Sequence, residues 1–158
     1  MRLFVDTEFT DLLHCELLSI GIVSEDDREF YAECSDADLS LCSDFARYGV
    51  LPQLGQEGVP VLSEIELSGR LIAWLEQFRS FGLVAVCVDH PTDWELFAQL
   101  VRDSETLQVP HWLKGISIRP TIDARDVETY WQLHGRHAHH ALHDARANRF
   151  AFERRAAG

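Results

Sequence analysis

The sequence predicts an α/β protein: a mixed β-sheet with helices packed on it. Three observations carry that expectation. Strand-like segments crowd the first 34 residues, helical apolar spacing takes over after residue 63, and a short apolar run at 82–88 interrupts the helices.

The elements follow in order. Residues 2–8, "RLFVDTE", read as a strand whose alternation puts Phe4, Asp6 and Glu8 on one face and Leu3, Val5 and Thr7 on the other. Residues 16–24 and 28–34 are two further strands, joined as a hairpin by the acidic turn "EDD". "SEIE", Ser63 to Glu66, is a capping box that opens a helix to about residue 80, with Leu67, Leu71, Trp74, Leu75 and Phe78 at helical spacing. "GLVAVCV", 82–88, is a buried strand bounded by a glycine. "TDWE", 92–95, reads as a second capping box, with Thr92 as the cap and Phe97, Leu100 and Val101 facing inward. Residues 103–122 are irregular, broken by Pro110 and Pro120, with a short strand at "ISI". Helices at about 123–133 and 140–155 complete a β-β-β-α-β-α-(β)-α-α order. The ribonuclease-H-like mixed sheet is one architecture of this kind. No repeat or linker divides the chain, so residues 1–158 are expected to form a single domain.

Composition narrows the function. Hydrophobic residues make up 46% and charged residues 25%, ordinary for a globular protein. The longest apolar runs, "LVAVCV" and "LLSIGIV", are strand-length, which argues against a membrane span. "MRLFVDTEF" lacks the apolar core of a signal peptide, so a cytoplasmic location is expected. The cysteines, Cys15, Cys34, Cys42 and Cys87, include no CxxC pair and read as reduced, mostly buried thiols. The net charge is −12, and the densest basic run is "RANRFAFERR" near the C-terminus. Long duplex nucleic acid is disfavoured as a partner. Surplus acid is compatible with divalent metal.

Asp6 and Glu8 are two acids on one face of a hydrophobic strand, spaced about 6.6–6.8 Å apart along it. They suit a pair of divalent ions about 3.5–4 Å apart, and equally a strand end emerging into water. Asp93 in the first turn of its helix complements the dipole, but it shares a face with Phe97 and Leu100 and should point inward, where it needs a partner. Asp144 lies among Ala141, Ala147, Asn148 and Ala151, a small-residue face suited to close packing on a sheet. "RHAHHALHDARAN", 136–148, adds four histidines. Helix geometry alone favours His140 as the partner of Asp144, four residues on.

Asp-x-Glu on the first strand, Asp opening a middle helix and His-x-x-x-x-Asp on the last helix form an ordered series. "FVDTEF", "HPTDWELFAQL" and "HHALHDARAN" resemble the three motifs of the histidine-bearing DEDD (DEDDh) exonucleases of the ribonuclease-T-like superfamily. The chain is most similar to the compact bacterial 3′–5′ exoribonucleases whose first motif reads DTEF. The resemblance spans nearly the whole chain.

The resemblance implies that Asp6, Glu8, Asp93 and Asp144 hold two Mg²⁺ or Mn²⁺ ions, one activating a water and the other stabilising the leaving 3′-oxygen. A neutral histidine accepts the water's proton. The family pattern places that base five residues before the last Asp, at His139, with His140 and His143 on a solvated helix surface and His137 in a loop. Phe9 and Thr10 would receive the terminal nucleotide, Phe9 by stacking on a base. The product would be a nucleoside 5′-monophosphate, released from the 3′ end of short or single-stranded RNA, with DNA second. Two departures bear on substrate choice: Phe9-Thr10 replaces the common Thr-Gly, and "HPTD" replaces an aromatic or small apolar residue before the Asp.

Two other classes fit the residues. His137, His139, His140 and His143, joined by His90, could form a zinc or nickel site. A catalytically silent module could keep the fold and bind nucleotides or a partner. Relatives in the resembling family are often homodimers, and Trp112 is either an interface anchor or, the safer reading, a core residue.

Overall fold

A computed structural model describes residues 1–136 and 138–156. The three N-terminal strands form as expected: β1 (Arg2–Phe9), β2 (Leu17–Ser24) and β3 (Glu29–Cys34). β1 and β2 pair antiparallel, as do β2 and β3. The turn between β2 and β3 closes with the Asp27 N–H on the Ser24 carbonyl and Asp27 in the left-handed region at φ 68°. A two-residue strand, β4 (Val61–Leu62), runs parallel to β3 at the sheet edge.

α1 (Glu64–Leu75) begins at the expected capping box: Ser63 and Glu66 exchange side-chain and backbone hydrogen bonds. The expected helix to residue 80 is α-helical only to Leu75, then tightens into a 3₁₀ turn over Glu76–Phe81. Leu67, Leu71, Leu75 and Phe78 are buried, and Trp74 packs beside them. β5 (Val84–Val88) runs parallel to β1, and α2 (Pro91–Val101) follows. The cap of α2 is not Thr92 but His90. Pro91 occupies the first helical position, where its missing N–H costs nothing, so Asp93 becomes the third helical residue and accepts from the His90 N–H at 3.2 Å.

The short strand expected at "ISI" forms earlier, as β6 (Leu113–Ser117), parallel to β5. Trp112, just before it, is buried in the core. α3 (Ala124–His134) and α4 (Ala141–Ala156) close the fold.

The six-stranded mixed sheet has the order β4-β3-β2-β1-β5-β6, flanked by helices, an α/β arrangement of ribonuclease-H-like type. Alternation along β1 divides its residues between two cores. Leu3 and Val5 join Leu67, Leu71, Phe97 and Leu100 beneath α1 and α2. Phe4 turns the other way, to Ala145 and the Phe152 ring of α4. α4 lies tight against Gly21 of β2, where an added Cβ would come within 2.2–2.4 Å of the Ala141 and Leu142 backbone. Only a glycine admits that approach, and Ala141, Ala145, Ala147 and Ala151 supply the matching small face. Among the described residues no helix is long and apolar enough to cross a membrane.

Candidate active site

Strand β1 delivers the first two acids. Because 4, 6 and 8 share a face, Asp6 and Glu8 follow Phe4 toward the α4 side as the strand leaves the core. The β1–β2 register then slips: Glu8 opposes Ser19 but Phe9 opposes Leu17, a bulge at the point where the chain enters the cleft. α2 supplies Asp93, which is 3% exposed and points inward. Thr7, on the opposite face of β1, fixes it: its N–H and hydroxyl both donate to Asp93 Oδ1, at 3.0 and 2.7 Å. α4 supplies Asp144, whose Oδ1 accepts from the Trp131 indole N–H at 3.1 Å and whose Oδ2 accepts from the His139 N–H at 2.7 Å.

These side chains meet in one cleft of about 940 Å³, lined also by Phe9, Phe45, Asp89, His90, Arg119, Trp131 and Asn148. Ligand atoms fall into two trios, each within 4.8 Å: Glu8, His139 and Asp144 in one, Asp6, Asp89 and Asp93 in the other. No ion pair among the described residues involves any of these five carboxylates. Their protonation reflects the crowding. Burial first, then the charges of Asp93, Asp144, Glu8 and Asp89, pushes Asp6 well above the usual carboxylate range. Burial, then the charges of Asp144 and Asp93, raises Glu8 to about 8. Burial raises Asp93 and Asp144 to about 7, against the lowering effect of their hydrogen bonds. Oxygen donors with uncompensated charge are what hard divalent cations bind, so this donor set fits Mg²⁺ or Mn²⁺.

His139 sits just before α4, at φ 73°. The left-handed region costs a non-glycine residue about 1–2 kcal/mol, so surrounding contacts must hold it there. Its ring meets the Phe45 ring edge-on, centroids 4.5 Å apart, and burial lowers its pKa, favouring the neutral imidazole. His140 faces elsewhere. It stacks on Tyr31 at 4.6 Å and on His143 at 4.0 Å, beside Arg136 and Arg146. The expected solvated positions of His140 and His143 are therefore corrected: both rings are half-buried, because Tyr31 of β3 offers an aromatic face. His137 lies outside the described residues. Among the described residues the two metal-sized clusters are built mainly of carboxylates: His139 is the one imidazole in them, and His90, His140 and His143 belong to neither.

Phe9 is half-buried at the cleft wall. Thr10 is fully buried, its hydroxyl accepting from the Glu16 N–H at 3.1 Å; it lines a second slot of about 490 Å³ that adjoins the cleft through Glu8, Phe9, Phe45 and His90. The sequence reading missed Asp89. Its signal was its place directly after the apolar strand and four residues before Asp93, as the chain leaves the sheet. Asn148 Nδ2 donates to Asp89 Oδ1 at 2.7 Å and orients it.

No family model matches the chain. Two curated relatives, each named a 3′-5′ exoribonuclease and drawn from the H37Rv and CDC 1551 strains of Mycobacterium tuberculosis, are 32% identical to it over 92% of this chain and 88% of their own length. The chain belongs to this 3′-5′ exoribonuclease family. It is accordingly an enzyme of the 3′–5′ exonuclease class, a hydrolase.

Proposed function

We propose that the chain, as one exonuclease domain over residues 1–158, removes nucleoside 5′-monophosphates from the 3′ ends of short or single-stranded RNA. The carrying observation is the pair of trios in one cleft, Glu8–His139–Asp144 and Asp6–Asp89–Asp93. Asp6, Glu8, Asp93 and Asp144 hold two Mg²⁺ or Mn²⁺ ions, with Asp89 beside them. Bound divalent ions supply charge stabilisation to the phosphodiester and lower the pKa of the attacking water. The protein's own groups do the rest. His139, neutral near pH 7, accepts the proton of that water, and Asp144 fixes the backbone that carries the ring. Thr7 orients Asp93 through two hydrogen bonds to one oxygen, and these bonds oppose the rise in its pKa that burial causes. Phe9 and the slot beside it, with Thr10 in its wall, receive the terminal nucleotide.

RNA as substrate is supported by the names of the two relatives. A homodimer and a cytoplasmic setting accompany this reading. The decisive assay incubates RNA and DNA oligomers of several lengths with Mg²⁺ or Mn²⁺. Release of 5′-mononucleotides from the 3′ end, faster on RNA and abolished by EDTA, is expected. Nucleotide binding without hydrolysis at any metal concentration would overturn the proposal.

A further inference from the structure

The cleft explains the acids but leaves open what keeps His139 in its left-handed conformation. The answer lies in a region with no chemical motif. Residues 44–53 form a helical run whose centre, Ala46–Val50, winds as a π-helix and whose end, Leu51–Gln53, tightens to 3₁₀. Such π-wound turns recur at functional sites. Phe45, Gly49 and Gln53, four apart along this run, all meet the His139 segment.

The Phe45 ring lies edge-on to the imidazole, with centroids 4.5 Å apart. Gly49 presents its backbone to the ring: a Cβ there would stand 3.5 Å from His139 Cδ2. Gln53 makes the polar contact. Its Nε2 lies 2.9 Å from the Gly49 carbonyl oxygen and 2.8 Å from the carbonyl oxygens of both Ala138 and His139. Three acceptors converging on one atom require that atom to be the amide nitrogen, since the amide oxygen would face three like partial charges. Two N–H bonds serve three carbonyls, so one is shared. His139 is thus held at three points: its N–H by Asp144, its carbonyl by Gln53 and its ring by Phe45.

We propose that Gln53 is a positioning residue for the reaction: it ties the 44–53 run to the His139 backbone and so aims the imidazole into the cleft. This rests on the reading of His139 as the proton acceptor. Removing the amide donors should free the 138–139 segment to leave the left-handed conformation. The acids, anchored on β1, α2 and α4, would stay in place.

The test compares wild type with Gln53→Glu, which keeps the shape but removes both N–H groups, and with Gln53→Met, which removes them without adding charge. Gln56→Glu, three residues along on the exposed surface, controls for charge. On a short RNA with Mn²⁺, both Gln53 variants should lose about 10–100-fold in kcat, the usual effect of losing an outer hydrogen-bonding support, with KM within about threefold. Gln56→Glu should match wild type. In proton–carbon spectra of histidine-labelled protein, the His139 ring signals should move as the ring leaves Phe45, while the melting temperature and Mn²⁺ affinity change little. A Gln53 variant with wild-type kcat, a loss carried by KM, or unmoved His139 signals would overturn the proposal. If wild type itself cleaves no oligonucleotide, the nuclease reading and the catalytic half of this inference fall together. The ring signals then decide separately whether Gln53 holds the imidazole.

Discussion

The main-chain N–H of His139 donates to Asp144 Oδ2 at 2.7 Å, so the acid on α4 anchors the residue five positions before it. Because this bond uses the backbone, the His139 ring remains free to face the cleft. His140 immediately precedes α4: its carbonyl accepts the Asp144 N–H at 3.0 Å, and its ring is turned onto Tyr31.

His139→Ala should therefore lose a factor of about 10²–10⁴ in kcat, the range for a positioned base, with Mn²⁺ binding retained. His140→Ala should stay within a few-fold of wild type, although losing the stack on Tyr31 lowers its melting temperature slightly. Steady-state kinetics on one RNA oligomer with both variants checks this. If His140→Ala is the crippled variant, the base has been assigned to the wrong residue.

The crowded acids make a signed prediction for the metal-free protein. Glu8 rises from an ordinary 4.5 to about 8, and Asp93 and Asp144 rise from 3.8 to about 7. Between about pH 4 and pH 8 the folded state therefore binds more protons than the unfolded chain, and stability falls as pH rises through that window. These acids favour folding fully below pH 4 and lose that contribution by about pH 8. Divalent ions bind the ionised form, so Mg²⁺ or Mn²⁺ should raise the melting temperature strongly at pH 8 and weakly at pH 5. Glu8→Gln should stabilise the metal-free protein at pH 8 while abolishing turnover. Equal metal-induced shifts at both pH values would contradict this account.

Much of this arrangement was legible in the sequence, for physical reasons that can be named. Asp6 and Glu8 stood out because a strand's period of two puts them on one face, and α1 because Ser63 and Glu66 announce its start. The α2 cap was misread because two boxes overlap, His90–Asp93 and Thr92–Glu95, and the choice depends on Pro91 taking the first helical position. Asp89 was hidden at the end of an apolar strand that explains itself by burial. Residues 39–53 have neither period two nor a regular α-helical stripe, since their turns are π- and 3₁₀-wound. Phe45 and Gln53 consequently gave no signal, and their role depends on a contact with a segment about 90 residues away.

Gly21 ties the fold to the site. Gly21→Ala would force its Cβ into the Ala141 and Leu142 backbone at 2.2–2.4 Å, contacts that no rotamer can relieve. Overpacking of this kind costs about 1–3 kcal/mol or more, equivalent to a melting temperature lower by about 2–12 °C in a chain of this length. Because α4 carries Asp144, activity should fall as well, even below the melting transition. A variant of unchanged stability and activity would show that α4 can shift without disturbing the acids.

Asp89 can be separated from its support. Asp89→Asn removes the charge but still accepts the Asn148 hydrogen bond, so stability should hold while Mn²⁺ affinity, read by calorimetry, falls about 10-fold or more. Asn148→Ala removes a buried donor to a charged acceptor, a bond worth about 1.5–3 kcal/mol, and should lower the melting temperature instead. Unchanged Mn²⁺ affinity in Asp89→Asn would leave only Asp6 and Asp93 as ligands in that trio.

Arg119 is the one arginine among the described residues lining the cleft, and it is exposed with no ion-pair partner among them. In a chain of net charge −12, an anionic substrate needs such a cation, because the remaining surface repels it. Arg119 should therefore contact a substrate phosphate. Arg119→Ala should raise KM several-fold with kcat nearly unchanged, and should flatten the dependence of log KM on log salt by about 0.7, the slope of one single-strand phosphate contact. Wild type should also bind long duplex poorly at physiological salt without divalent metal, since one arginine cannot replace a basic stripe. A salt slope identical in Arg119→Ala and wild type would place the phosphate contact elsewhere in the cleft.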